Sequence, residues 1–220
     1  MPTAGRKGSS TGPTKTRPPE LLRKLIEVAM ELERRTMQLY CRFEALFPAP
    51  DEVRAFWFDM AQHESLHFGA LALVSGLLDS APQRSLPAAP SLTREHVVRF
   101  RELLEQAEAE AQRGLSLTRA FELALEIEGS EIEDLVLDLL TALKGESERE
   151  RAVQTLIHDL GDLSYMIEKY GKSRALLAQA DRRIEQQLFR LRGAQAGGQP
   201  PKATSGKRPV RLRRGPTPVK

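Results

Sequence analysis

The chain has 220 residues, 40% of them hydrophobic, 5% aromatic and 29% charged, with a formal net charge of +3 and one cysteine. A lone cysteine, Cys41, excludes an internal disulfide framework and any four-cysteine metal site. No apolar stretch reaches the roughly 18 residues of a membrane span, and the basic N-terminus lacks the apolar segment of a secretory signal; a cytoplasmic location is expected.

Leu, Ala, Glu and Arg dominate and β-branched runs are scarce, which favours helix throughout. The positive charge is concentrated at the ends. Residues 1–19 and 193–220 carry eleven Lys and Arg and no acid, so the span between them is acidic. Both ends are rich in Pro, Gly, Ser and Thr and are expected to be disordered tails. Such arms could contact nucleic acid or another anionic partner through phosphate charge alone. They hold no aromatic residue for base stacking, and a solubilising role explains them as well. Cys41 reads as a small buried hydrophobe.

The folded part is expected over residues 20–192. A first helix runs from about Glu20 to Phe47, between Pro18-Pro19 and Pro48. A second starts at Asp51 and runs to about Leu78. A third, polar helix spans about Leu92 to Arg113, stopped by Gly114. Ser116 can cap a fourth, expected to reach Leu143. Ser147 and Glu150 fit a capping box for a fifth, which runs to Tyr170 with Gly171 as a bend. Residues 173–192 are helical again. Short joints make the first and second helices, and the fourth and fifth, antiparallel neighbours. The span from Ser80 to Leu115 then crosses between two hairpins, which is the ferritin-like four-helix arrangement of an all-α fold.

Residues spaced alternately four and three apart share one helix face. That face reads Ile26, Ala29, Glu33, Thr36, Tyr40, Phe43 in the first helix. It reads Val53, Trp57, Met60, Glu64, His67, Leu71, Val74 in the second, and Leu117, Phe121, Ala124, Glu128, Glu131, Leu135 in the fourth. Each stripe is apolar with acid at mid-helix, so Glu33, Glu64, His67 and Glu128 should meet at one level. Buried carboxylates repel and lose hydration. A divalent cation removes that cost, and oxygen with imidazole suits iron, manganese or zinc. Other placements stay open at this stage. Glu33 could pair with Arg34 or Arg35 if the phase is off by one, Glu128 could belong to a solvated acidic run, and His67 could be a core histidine bonded to one carboxylate.

These residues resemble the rubrerythrin branch of the ferritin-like superfamily over about residues 20–170. Glu33 and Tyr40 look like that family's first-helix pair, Glu64 to His67 like its Glu-x-x-His, and Glu126-Ile127-Glu128 like its third-helix glutamate motif. The resemblance implies a non-haem iron oxidoreductase that reduces peroxide or oxidises Fe(II). It also makes a homodimer a candidate state. Two departures stand out. Leu135 replaces an expected Tyr. The fifth helix, read as Val153, Leu156, Leu160, Leu163, Ile167, Tyr170, puts Leu160 and Leu163 where a second Glu-x-x-His belongs. A shifted register would place Asp162 and Tyr165 there, but it turns Lys169 inward. The Leu160 register leaves ligands for one metal rather than two. Tyr40 could bond to a ligand or simply pack in the core. A second reading is a ferritin-like scaffold that has lost its chemistry.

Overall fold

The computed structural model describes residues 19–80, 94–130 and 146–196, and among them there are helices and no strands. In chain order these are α1 (Pro19–Leu46), α2 (Asp51–Ser80), α3 (Arg94–Arg113), α4 (Leu117–Glu128), α5 (Glu146–Met166), a short π-helical segment (Ile167–Gly171) and α6 (Arg174–Ala196). None of the described helices is long and apolar enough to cross a membrane.

The helix ends follow local chemistry. Pro19 is the first residue of α1, a position that needs no backbone N–H. Asp51 and Glu52 lie in the first turn of α2, where acid suits the helix dipole. Gly114 takes φ +85° after α3, a conformation open to glycine. The side chain of Ser116 accepts from the Arg119 N–H at 3.2 Å and caps α4. The C-terminal helix runs to Ala196, four residues into the expected tail.

One boundary is corrected. The fourth helix was expected to run unbroken to Leu143, but α4 ends at Glu128 and turns through Gly129 and Ser130. The Gly129 N–H closes the helix on the Leu125 carbonyl at 3.2 Å. A Cβ at Gly129 would stand 2.8 Å from the guanidinium carbon of Arg183, so the end of that side chain would have to move aside for any larger residue. The expected positions Glu131, Leu135 and Leu143 lie outside the described residues. So does nearly all of both basic tails.

Packing is organised by the α1–α2 hairpin. Arg23 pairs with Asp79 at one end (3.0 Å), and the rings of Tyr40 and Trp57 meet at the other (5.8 Å between centroids), so the two helices are antiparallel. Along α4 and α5 the run is also antiparallel. Thr118 donates to the Gly171 carbonyl at 3.0 Å, while Glu128, further along α4, lies within electrostatic reach of Asp159, further back on α5. Arg35 clamps Glu108 with two hydrogen bonds of 2.9 and 3.0 Å and ties α1 to α3. Arg119 ties α4 to Glu110 of α3 at 2.9 Å.

The core holds the stripes read from the sequence. Ile26, Ala29, Tyr40 and Phe43 are buried in α1, Val53, Trp57, Met60, Leu71 and Val74 in α2, and Phe121 and Ala124 in α4. One end of the core is an aromatic cluster in which Trp57 stacks on Phe121 at 5.5 Å and meets Phe43 edge-on at 4.9 Å. Each such buried ring contributes about 1.5–3 kcal/mol. Val153, Leu156, Leu160, Leu163 and Ile167 line the inside of α5, while Asp162 and Tyr165 are exposed and Lys169 reaches Glu52 on the outside. The Leu160 register is therefore the observed one. Cys41 is a correction. It is exposed, because it follows Tyr40 on a helix whose inner face is already taken by Thr36, Leu39, Tyr40 and Phe43.

Candidate metal centre

Mid-helix acids from three helices are buried inside the fold. Glu33 of α1, Glu64 of α2 and Glu128 of α4 are each only 2% exposed. Their neighbours along each helix explain why. Glu33 sits between the buried Ala29 and Thr36, Glu64 between Met60 and the partly covered His67, and Glu128 four residues after Ala124. The apolar residues of each stripe carry the acid inward with them. Arg35, once a candidate partner for Glu33, instead pairs with Glu108.

Glu33, Glu64 and His67 form the tightest group. Nδ1 of His67 lies 3.6 Å from Oε2 of Glu33 and 3.5 Å from Oε2 of Glu64. One ligand atom from each of the three falls within 4.8 Å of the others. Both oxygens of Glu33 and Oε2 of Glu64 are fully buried and accept no hydrogen bond among the described residues. Two carboxylates facing each other offer only acceptors, so a proton or a cation must sit between them. Burial, then the charge of Glu33, hold the Glu64 carboxyl well above the ordinary carboxylate range, with His67 opposing. No Lys or Arg figures among the main influences on Glu64.

Glu128 is set apart from this group by its own partner. The hydroxyl of Tyr40 donates to Oε1 of Glu128 at 2.8 Å, inside the core. Tyr40 thus both packs in the core and bonds to a candidate ligand, the two roles left open by the sequence. Burial raises the Glu128 carboxyl well above its usual range, as do the charges of Glu64 and Asp159, while the Tyr40 hydrogen bond pulls the other way.

Asp159 was not among the residues singled out from sequence. It is buried at 3% exposure, and its Oδ1 lies 2.7 Å from Nδ1 of His63. This contact raises the pKa of His63 against its partial burial. The missed signal is plain in hindsight. Asp159 is three residues after Leu156 and four before Leu163, a spacing as inward as that of Leu160. A helix inside a bundle buries a band wider than a single stripe. On α2, His63 precedes Glu64 and lies one residue off the stripe that carries Glu64 and His67.

No protein-family model matches the chain, and neither a curated protein nor a solved structure is similar to it at a significant level. The donor set itself carries the reading of the site.

Proposed function

We propose that the protein is a ferritin-like, rubrerythrin-like metal-binding protein in which Glu33, Glu64 and His67 hold a divalent transition-metal ion. The observation that carries this reading is the pair of facing carboxylates, Glu33 and Glu64, buried with unpaired oxygens beside an imidazole nitrogen. Two carboxylates and one imidazole fit iron, and also manganese or zinc. Bound iron would supply non-haem redox chemistry, either peroxide reduction or Fe(II) oxidation. The chain's own part is to fix the ligands from two packed helices and to keep bulk water out. Tyr40 restrains Glu128 beside them.

The test is elemental analysis of protein expressed with added iron, beside a Glu64→Ala, His67→Ala double variant. Metal near one equivalent per chain, lost in the variant, is the expected result. Metal-free protein that takes up no added iron, manganese or zinc would overturn the reading.

One observation favours a second reading, a ferritin-like scaffold without redox chemistry. Leu160 and Leu163 are fully buried on α5, where the resemblance calls for a second carboxylate and imidazole. Under that reading Glu64→Leu raises thermal stability whether or not metal is present. Under the metal-binding reading the gain appears only in chelator.

A further inference from the structure

Half of the large hydrophobic side chains exposed among the described residues stand on one helix. They are Phe58, Leu66, Leu73 and Leu77 of α2, at 55, 62, 62 and 41% exposure. At about 100° per residue, all four project from the side of α2 opposite the buried Trp57, Met60, Glu64 and Leu71. Gly69 and Gly76 stand on the same outward side, so that Leu66, Gly69, Leu73 and Gly76 form a pattern repeating after seven residues. A Cβ at either glycine would meet nothing within 4 Å. Glycine weakens the interior of a helix, and no contact within the described chain requires it at these two positions. Between Asp59 and Asp79 the one acid is the buried Glu64, and there is no Lys or Arg. A helix that is apolar on its outer side as well as its inner one is built to be covered.

The composition of this face selects what covers it. Residues 1–19 and 193–220 carry eleven cations and few large apolar side chains, so they suit an acidic surface and not a neutral one. A lipid surface is met by an apolar stripe flanked with Lys and Arg, whereas this stripe is bounded by Asp59 and Asp79. A second copy of the chain fits. Its face is equally neutral, and the seven-residue pattern is complementary to itself. When two α2 helices lie antiparallel about a two-fold axis at the level of Leu71, Leu73 of one copy is level with Gly69 of the other, and Leu66 is level with Gly76. Each leucine then lies where the facing helix has no side chain.

We propose that the outward face of α2 is a dimer interface, in which Leu66 and Leu73 of each copy seat against Gly76 and Gly69 of the other. The contact is isologous, as two-fold symmetry requires. It lies on the side of α2 away from Glu64 and His67, so it stands whether or not those residues bind metal.

The experiment is sedimentation equilibrium of the full-length protein up to about 100 µM, where an interface with a micromolar dissociation constant is filled. A reducing buffer keeps the exposed Cys41 from linking copies. The unaltered protein is expected at twice the chain mass. Leu73→Glu and Gly69→Leu are each expected at the mass of one chain, with the circular dichroism of the unaltered protein, because Leu73 is exposed and the space beyond Gly69 is open. Unaltered protein that stays monomeric overturns the proposal and hands the face to another partner or to residues 131–145 of the same chain. A dimer that survives Leu73→Glu overturns it by placing the interface elsewhere. A dimer broken by Leu73→Glu but kept in Gly69→Leu overturns the seating of leucine on glycine. Should Leu73→Glu prove unfolded, Gly69→Leu decides in its place.

Discussion

Tyr40 and Glu128 are 88 positions apart in the chain, yet the phenol donates to the carboxylate at 2.8 Å in a fully buried contact. The bond joins the aromatic end of the core to its acidic middle, since the Tyr40 ring also lies 5.8 Å from Trp57. Tyr40→Phe keeps the ring and removes the donor. The expected loss is about 1–3 kcal/mol of stability, the cost of leaving a buried acceptor without its donor. Urea unfolding followed by the fluorescence of Trp57, the one tryptophan, measures it. An unchanged midpoint would show that the bond contributes nothing net.

In metal-free protein the raised carboxyls make stability fall as pH rises. Glu64 and Glu128 titrate in the folded state above their ordinary value near 4.5, so between that value and their raised ones the folded chain holds more protons than the unfolded chain. Their contribution is fully present below about 4.5 and is lost as pH climbs through the raised values. His63, raised by Asp159, acts in the same direction from its ordinary 6.5 upward. Thermal melts in chelator should therefore give a higher Tm at pH 5.5 than at pH 7.5. Glu52 and Glu110 are lowered, so their stabilising effect is lost only on acidification below the ordinary carboxylate range. A Tm that rises with pH between 5.5 and 7.5 would contradict the assignment.

Glu64→Gln removes one buried charge and keeps the side-chain shape. In chelator the variant should melt higher than the unaltered chain at pH 7.5, because desolvation of Glu64 is no longer opposed to folding. With metal at about 100 times its dissociation constant the order should reverse, since binding adds about 2.7 kcal/mol to the unaltered chain alone. Melts with and without metal read both halves. Identical shifts in the two proteins would remove Glu64 from the ligand set.

Leu163→Ala opens space on the inner face of α5, where the side chain is completely buried. A loss of about 2–5 kcal/mol is expected from the cavity, with no change in the number of metals bound. Denaturant unfolding and elemental analysis on the same preparation check both. Loss of metal without loss of stability would mean that α5 shapes the site in some other way.

The parts of the site legible in the sequence were those whose inward face follows one narrow stripe. Glu33, Glu64 and Glu128 each follow an apolar residue by three or four positions, and hydrophobic burial of that residue fixes where the acid points. His67 followed from Glu64 by helical spacing alone. Asp159 and His63 were not legible in this way, because each lies at the edge of the stripe, and only the approach of α5 to α2 decides that the two face each other. The turn at Gly129 was hidden for another reason. Gly129 and Ser130 are breaking residues, but the apolar pattern that resumes after them favoured one continuous helix. Helix starts were read more faithfully than helix ends, since Pro19, Asp51 and Ser116 act through their own chemistry.

The most direct measurement is a crystal of the iron-loaded protein with diffraction recorded on both sides of the iron absorption edge. The account predicts an anomalous peak among Glu33, Glu64 and His67, at about 2.0–2.2 Å from their oxygen and nitrogen atoms. Iron bound only elsewhere, with Glu33 and Glu64 sharing a proton between their carboxyls, would contradict it.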